Sequence, residues 1–316
     1  MVSLVEQAVL HGHTAWIMSV CCNPTGGSIA SGSWDGSVRV WDVRTGLSTM
    51  RLSSPQQYVR VVAFDPTGAM LASAGGYDAG SGGAITVWES TTGRELNTFR
   101  VHGGARALAF ADRDVLAGND RWHDHAVVLW DAPGGQEVGR LVGHTQAILG
   151  VTTTSSGDLL ASASADGTVR VWHVATRLLA HIFHAGDTEV HSVSFSPTGT
   201  LIAAGLGNGV VMWDLTTSRE VWRWSTGVTA HSAGAMMLDD LPYYQMLSLA
   251  FSPDGTTLAV ASADDGEREG AIILFDVATG QRQQLVRVDT TYTLAFSPDG
   301  TILVSGGVDE SLHLWR

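Results

Sequence analysis

An all-β fold assembled from repeated small sheets is what this sequence predicts, on three observations. The first is a phrase written twice, SWDGSVRVWD at 33–42 and SADGTVRVWH at 164–173. The second is composition: 37 Gly and 11 Trp against 16% charged residues, which suits many turns and large buried anchors better than a helical bundle or a disordered chain. The third is length. At 316 residues the chain exceeds the roughly 250–300 residues that one core sustains, and repeats escape that limit because each unit buries its faces against its neighbours.

Seven segments share one grammar. SVCCNPTGGSIASGS (19–33), VVAFDPTGAMLASAG (61–75), SVSFSPTGTLIAAGL (192–206), SLAFSPDGTTLAVAS (248–262) and TLAFSPDGTILVSGG (293–307) match position by position. ALAFADRDVLAGN (107–119) and GVTTTSSGDLLASAS (150–164) are looser versions. Each leads into an apolar strand closing on Trp41, Trp88, Trp130, Trp172, Trp213, Phe275 or Trp315, at intervals of 47, 42, 42, 41, 62 and 40. Runs such as LAFS and VRVW suit strands covered on both faces, and the PDG, PTG and DG pairs supply sharp turns between antiparallel strands. A period of about 40–45 residues with these motifs is that of four-stranded propeller blades.

These residues resemble the WD-repeat β-propeller family along the whole chain. The resemblance implies that His13, Ser31, Asp35 and Trp41 form a hydrogen-bonded staple in the first repeat, and His144, Ser162, Asp166 and Trp172 the same staple in the fourth. The physical logic is that a buried carboxylate, imidazole, hydroxyl and indole must satisfy one another. The residue after the Trp lies outside that set, so His173 replaces Asp42 without chemical consequence. The other repeats depart from the pattern. The second has Ser73 and Trp88 without the His, and the third keeps Asp124 and Trp130. The fifth has Ala203 and Gly207 for Ser and Asp, the sixth has Phe275 for Trp, and the seventh keeps Ser305, Asp309 and Trp315 without the His. Those blades are expected to rely on stacking.

The expected architecture is a single all-β domain over 1–316, a seven-bladed propeller of four-stranded antiparallel blades. Its blade cores fall near 14–52, 57–99, 104–142, 147–184, 189–224, 245–286, and 291–316 with 4–10. The chain stops on the third strand of the seventh repeat, and LVEQAVLHGH (4–13) is the donor of the missing fourth. Closure of this kind removes the edges of an open array.

The formal net charge is −13, from 31 acidic and 18 basic residues, every basic one an Arg. That balance argues against a nucleic-acid partner, which needs a broad cationic surface. MVSLVEQAVLHGH lacks the basic region and apolar length of a signal peptide, and no run approaches the roughly 20 apolar residues of a membrane helix. Cys21 and Cys22 are strand neighbours on opposite faces, a poor geometry for a disulfide. A soluble, cytoplasmic protein with no membrane association is expected. The sequence sets no oligomeric state.

In this family the turns after the first and third strands of a blade share one rim, and here they stay short. The insertions GGYDAGSGGA (75–84), GNDRWHDHA (118–126), STGVTAHSAGAMMLDDLPYYQM (225–246) and DDGEREGA (264–271) all fall at the opposite, top rim. Connections elaborated on one face of a rigid scaffold are where recognition resides. Positions that family members use for contact carry over to Trp16, Met18, Trp34, Tyr58, Arg60, Tyr77, Arg106, His123, His191 and Tyr292, with Tyr243 and Tyr244 added from the long insert. The set is rich in the residue types that dominate binding hot spots. The expected function is therefore a non-catalytic scaffold holding a protein or peptide on its top face. The alternative is a small-molecule or enzymatic site at the mouth of the channel, for which His191, Glu189, Arg60 and Arg106 are the available groups. RWHDHA (121–126) offers His123 and His125 without an evident third ligand, so no metal is expected. No phosphate loop, nucleophile elbow or calcium loop is present, and no cofactor is expected.

Overall fold

The computed structural model describes residues 4–55, 57–76, 82–101, 104–119, 125–207, 209–225, 248–262 and 270–316. These form seven four-stranded antiparallel sheets and no helix. In six sheets four consecutive strands run from the centre outward, as Ile17–Cys22, Ser28–Ser33, Ser37–Asp42 and Ser48–Ser53 do in the first. The seventh differs in the way the sequence predicts. Thr291–Phe296, Leu303–Gly307 and Ser311–Trp315 are completed by Glu6–His11 from the other end of the chain. Glu6 lies opposite Trp315 and His11 opposite Ser311, and Val5 and Arg316 exchange backbone hydrogen bonds of 2.6 and 2.9 Å.

Each sheet is buried on both faces, so the core is distributed among the seven joints. One apolar cluster fills each joint; that between the fourth and fifth blades, for example, joins Val169, Val171 and Phe183 to Ile202, Val211 and Trp213. Cys21 and Cys22 point into different joints, the first toward Val62 and Leu71, the second toward Val304 and Leu314. Both are free thiols, and burial pushes Cys22 up to about 12.

The two predicted staples are present. In the first blade the Trp41 indole N–H donates to Ser31 Oγ at 2.8 Å, and His13 spans Ser31 Oγ and Asp35 Oδ2 at 2.8 Å each. The fourth blade repeats this with Trp172, Ser162, His144 and Asp166, at 3.0, 2.8 and 2.8 Å. The Ser oxygen accepts from the indole, so its O–H is directed to Nε2, leaving Nδ1–H for the carboxylate. Burial alone would raise Asp35, but hydrogen bonds from His13 and Ser37 hold it well below the usual carboxylate range. Burial also pulls His144 down, against the opposing pull of Asp166.

Strand register fixes who occupies the serine seat elsewhere. The residue facing position Trp−2 is Ser31 in the first blade and Ala204 in the fifth. Ala204, and not the Ala203 found by counting back from Trp213, holds that seat because the turn between Leu206 and Gly209 is one residue shorter. In the second blade Ser73 Oγ is buried with no hydrogen-bond partner among the described residues. In the sixth, Phe275 is flanked by Trp222 (5.8 Å between centroids) and Trp224 (5.2 Å) from the outer strand of the fifth. The seventh blade keeps the Trp315 to Ser305 bond at 2.9 Å but finds its imidazole elsewhere. His313, in the seat that Arg39 and Arg170 hold in the intact blades, stacks on Trp315 and reaches Asp309 at 2.6 Å. Its other nitrogen bonds Glu6 on the closing strand.

Candidate functional site on the top rim

The site begins with an irregularity of the inner strands. In five blades the register skips one residue at the top of the first strand, between Ile17 and Ser19, Val59 and Val61, Ile148 and Gly150, Val190 and Ser192, and Thr291 and Thr293. A bulge bends the strand and re-aims one side chain. The skipped residues are Met18, Arg60, Leu149, His191 and Tyr292, and all five line one central cavity of about 270 Å³. Arg106 and Glu189 line it as well. Burial lowers the Arg106 guanidinium and pulls His191 down to about 4, so that imidazole is neutral at physiological pH.

Outside the cavity four rings form a continuous ribbon. Tyr292 packs on Trp16 at 5.8 Å, Trp16 stacks on Trp34 at 4.8 Å with 24° between planes, and Trp34 meets Tyr58 at 5.4 Å. The ribbon starts at the channel wall in the seventh blade, crosses the first and ends on the second. All four rings are half-buried. Stacking of this kind is worth about 0.5–1.5 kcal/mol per pair beyond area and fixes ring positions without a ligand. The Trp34 indole N–H is buried and has no acceptor among the described residues.

The predicted contact residues thus divide into two groups. Trp16, Trp34 and Tyr58 build the ribbon, with Tyr292 shared between ribbon and cavity, while Met18, Arg60, Arg106 and His191 belong to the channel wall. Tyr77, His123, Tyr243 and Tyr244 lie outside the described residues, as does Asp124. Among the described residues no three His, Cys, Asp or Glu side chains are placed to share a metal ion. Sequence reasoning passes over Glu310. It stands at φ 65°, where the staple blades have Gly36 and Gly167, both at 78°. The signal is legible in hindsight as Asp309-Glu310 where those repeats write Asp-Gly.

The Ser–His–Asp chains of the staples have the atom order of a hydrolytic triad. Ser31 and Ser162 are nonetheless fully buried, and each hydroxyl accepts an indole N–H. Neither they nor their partners line the central cavity. Their role is to hold blades together.

Fold and rim together define a closed seven-bladed propeller with an elaborated top face. The family model for the WD domain, G-beta repeat (WD40) matches residues 4–42, 135–173, 177–214, 244–266 and 286–316, more than half of the chain. The chain belongs to the WD40 family. The longest unmatched stretch, 43–134, holds the second blade and the first three strands of the third, where the staple is incomplete. Among the curated proteins it resembles is the guanine nucleotide-binding protein subunit beta of Solanum tuberosum, 28% identical over 276 residues, covering 81% of this chain and 68% of that protein. Another is the small ribosomal subunit protein RACK1 of Caenorhabditis elegans, 27% identical over 258 residues, 81% of this chain and 76% of that protein. The RACK1y protein of Oryza sativa subsp. japonica is 31% identical over 179 residues, 52% of this chain and 49% of its own. Among the described residues no helix is long and apolar enough to cross a membrane.

Proposed function

We propose that this protein is a non-catalytic interaction scaffold that holds a peptide or protein partner on its top rim. The observation that carries the reading is the ribbon Tyr292–Trp16–Trp34–Tyr58, four preorganised rings presented on one face of a closed ring of sheets. Large aromatics already fixed by packing lose little entropy on binding, and a few such anchors supply most of an interface's energy, at 2 kcal/mol or more apiece on the scale of known hot spots. The relatives add support, being named as subunits of a guanine nucleotide-binding protein and of a small ribosomal subunit. Arg60 belongs to the same reading as a channel-wall group able to meet a carboxylate of the partner.

A second reading has one observation behind it: Glu189, His191, Arg60 and Arg106 line the same cavity. A small molecule bound there would meet a carboxylate, two guanidiniums and a neutral imidazole. The scaffold reading is favoured because burial keeps His191 from cycling protons near neutrality.

Affinity capture with the wild type and a Trp16→Ala/Trp34→Ala/Arg60→Ala variant tests the proposal. Loss of partners from the variant supports it. Recovery of identical partners at equal yield removes the rim from consideration, and a retained small-molecule ligand in native mass spectrometry favours the second reading.

A further inference from the structure

We infer that the central cavity binds a small oxyanion, a phosphate or carboxylate group with Arg60 and Arg106 as its charge partners. The inference goes beyond the docking role of the rim, since it concerns the channel rather than the ribbon.

The placement of the two guanidiniums starts in the backbone. Arg60 and Arg106 belong to the inner edges of neighbouring blades, the second and the third. The register skip between Val59 and Val61 brings Arg60 to the cavity. Arg106 precedes the short strand Leu108–Phe110, and the buried Asn119 pins its backbone. Asn119 Oδ1 accepts from Arg106 N at 2.8 Å and from Ala107 N at 3.0 Å.

The hydroxyls around them have donors left over. Ser19 Oγ accepts from Val62 N at 3.1 Å, Thr293 Oγ1 from Val20 N at 2.9 Å and Ser248 Oγ from Leu294 N at 3.0 Å, so each spans a joint between blades. A hydroxyl carries one donor besides its acceptor sites, and none of these three O–H groups meets an acceptor among the described residues. Ser192 follows the skipped residue of its strand as Ser19 and Thr293 follow theirs. Its Oγ is buried with no partner among the described residues. All four residues line the cavity.

The side chains of the wall are therefore weighted toward donors. A guanidinium donates and never accepts, and three of the hydroxyls have already spent an acceptor site. Glu189 is the one carboxylate among the described lining residues, and it is exposed. An oxyanion supplies acceptors and negative charge together, the combination in which hydrogen bonds from guanidinium are strongest. A cation would meet two like charges. A neutral guest brings no charge to offset the burial that lowers the Arg106 guanidinium. The net charge of −13 does not forbid an anion here, because exposed charges are screened beyond about 8 Å at physiological salt.

A cavity of about 270 Å³ admits either a free anion or one acidic side chain of a docked partner. The experiment therefore titrates the full chain by calorimetry, in buffer free of phosphate and polycarboxylates. The probes are inorganic phosphate and a short peptide carrying a single Glu, set against its Gln counterpart. Binding of phosphate, or of the Glu peptide over the Gln peptide, with a dissociation constant below about 1 mM supports the inference, and the tighter probe names the source. Arg60→Gln/Arg106→Gln should weaken that binding by at least about tenfold and Ser192→Ala by about threefold, while Arg51→Gln, on the outer strand of the first blade, leaves it unchanged. Ser192→Ala keeps the test open should the arginine pair prove necessary for folding. Trp16→Ala/Trp34→Ala should retain phosphate binding, so failure of the ribbon and failure of the cavity are told apart; loss of phosphate binding there overturns the cavity assignment. No binding of either probe at about 10 mM also overturns it, as does binding that survives Arg60→Gln/Arg106→Gln at an unchanged melting temperature.

Discussion

His313 Nε2 lies 2.6 Å from Asp309 Oδ2, and its Nδ1 bonds Glu6 on the strand that closes the ring. One imidazole therefore joins the last blade's turn, its third strand and the N-terminal strand. The hydrogen bond to Asp309 raises the His313 pKa, burial opposes this, and Glu6 adds to the rise. For Asp309, burial would raise the carboxyl, but the bond from His313 lowers it on balance.

A pH dependence follows for ring closure. The raised imidazole contributes stability fully below its unfolded value of 6.5 and loses it as pH rises through the folded value; the lowered carboxylate contributes above 3.8 and loses it as pH falls. The stability difference between wild type and His313→Gln should therefore be largest between those limits, about 1–3 kcal/mol. It should shrink above neutrality. Urea melts of both proteins across pH measure it, and a difference that grows with pH contradicts the assignment.

The serine seats make opposite predictions in different blades. Ser31→Ala strips the acceptor from Trp41 and the donor from His13, leaving buried polar groups unmet at about 1–3 kcal/mol. Ser73→Ala removes a buried hydroxyl that has no partner among the described residues, and should be neutral or slightly stabilising. Equal losses in chemical denaturation would show that the seat, rather than the bonds, matters.

Deleting residues 1–10 should prevent cooperative folding. It exposes Ser311–Trp315 as an open edge and removes Leu4 and Leu10 from two joints. Size exclusion and near-ultraviolet circular dichroism report the result, and a monomer with an intact melting transition contradicts the closure.

Burial sets a second pH signature, of opposite sign. His191 is held at about 4, so the folded protein resists protonation that the unfolded chain accepts at 6.5. Its contribution is complete above 6.5 and is lost between there and about 4. His191→Gln should flatten that acid limb, which melts at graded pH will show.

Much of the fold is legible because the sequence types its own bonding partners. A Ser, Asp, His and Trp at fixed offsets leave few ways to satisfy four buried groups, and the two complete sets at 13–41 and 144–172 form as read. Where a set is incomplete, the remedy comes from outside the repeat and no local pattern announces it. His313 is recruited from the Arg39 seat, and Trp222 and Trp224 come from the preceding blade to flank Phe275. The contact positions at the top were legible by spacing, but their division was not. Met18, Arg60 and His191 share one repeat offset and Trp16 and Tyr58 another, but a bulge carries no residue signature, so the letters do not say that the first set turns into the channel.

The most direct measurement is a hydrogen-exchange footprint of a captured partner on the intact propeller. Slowed exchange should fall on the connections carrying Trp16, Trp34, Tyr58 and Tyr292, with the bottom turns at Asp42, Asp214 and Asp276 unchanged. Protection confined to those bottom turns or to the outer strands would contradict the account.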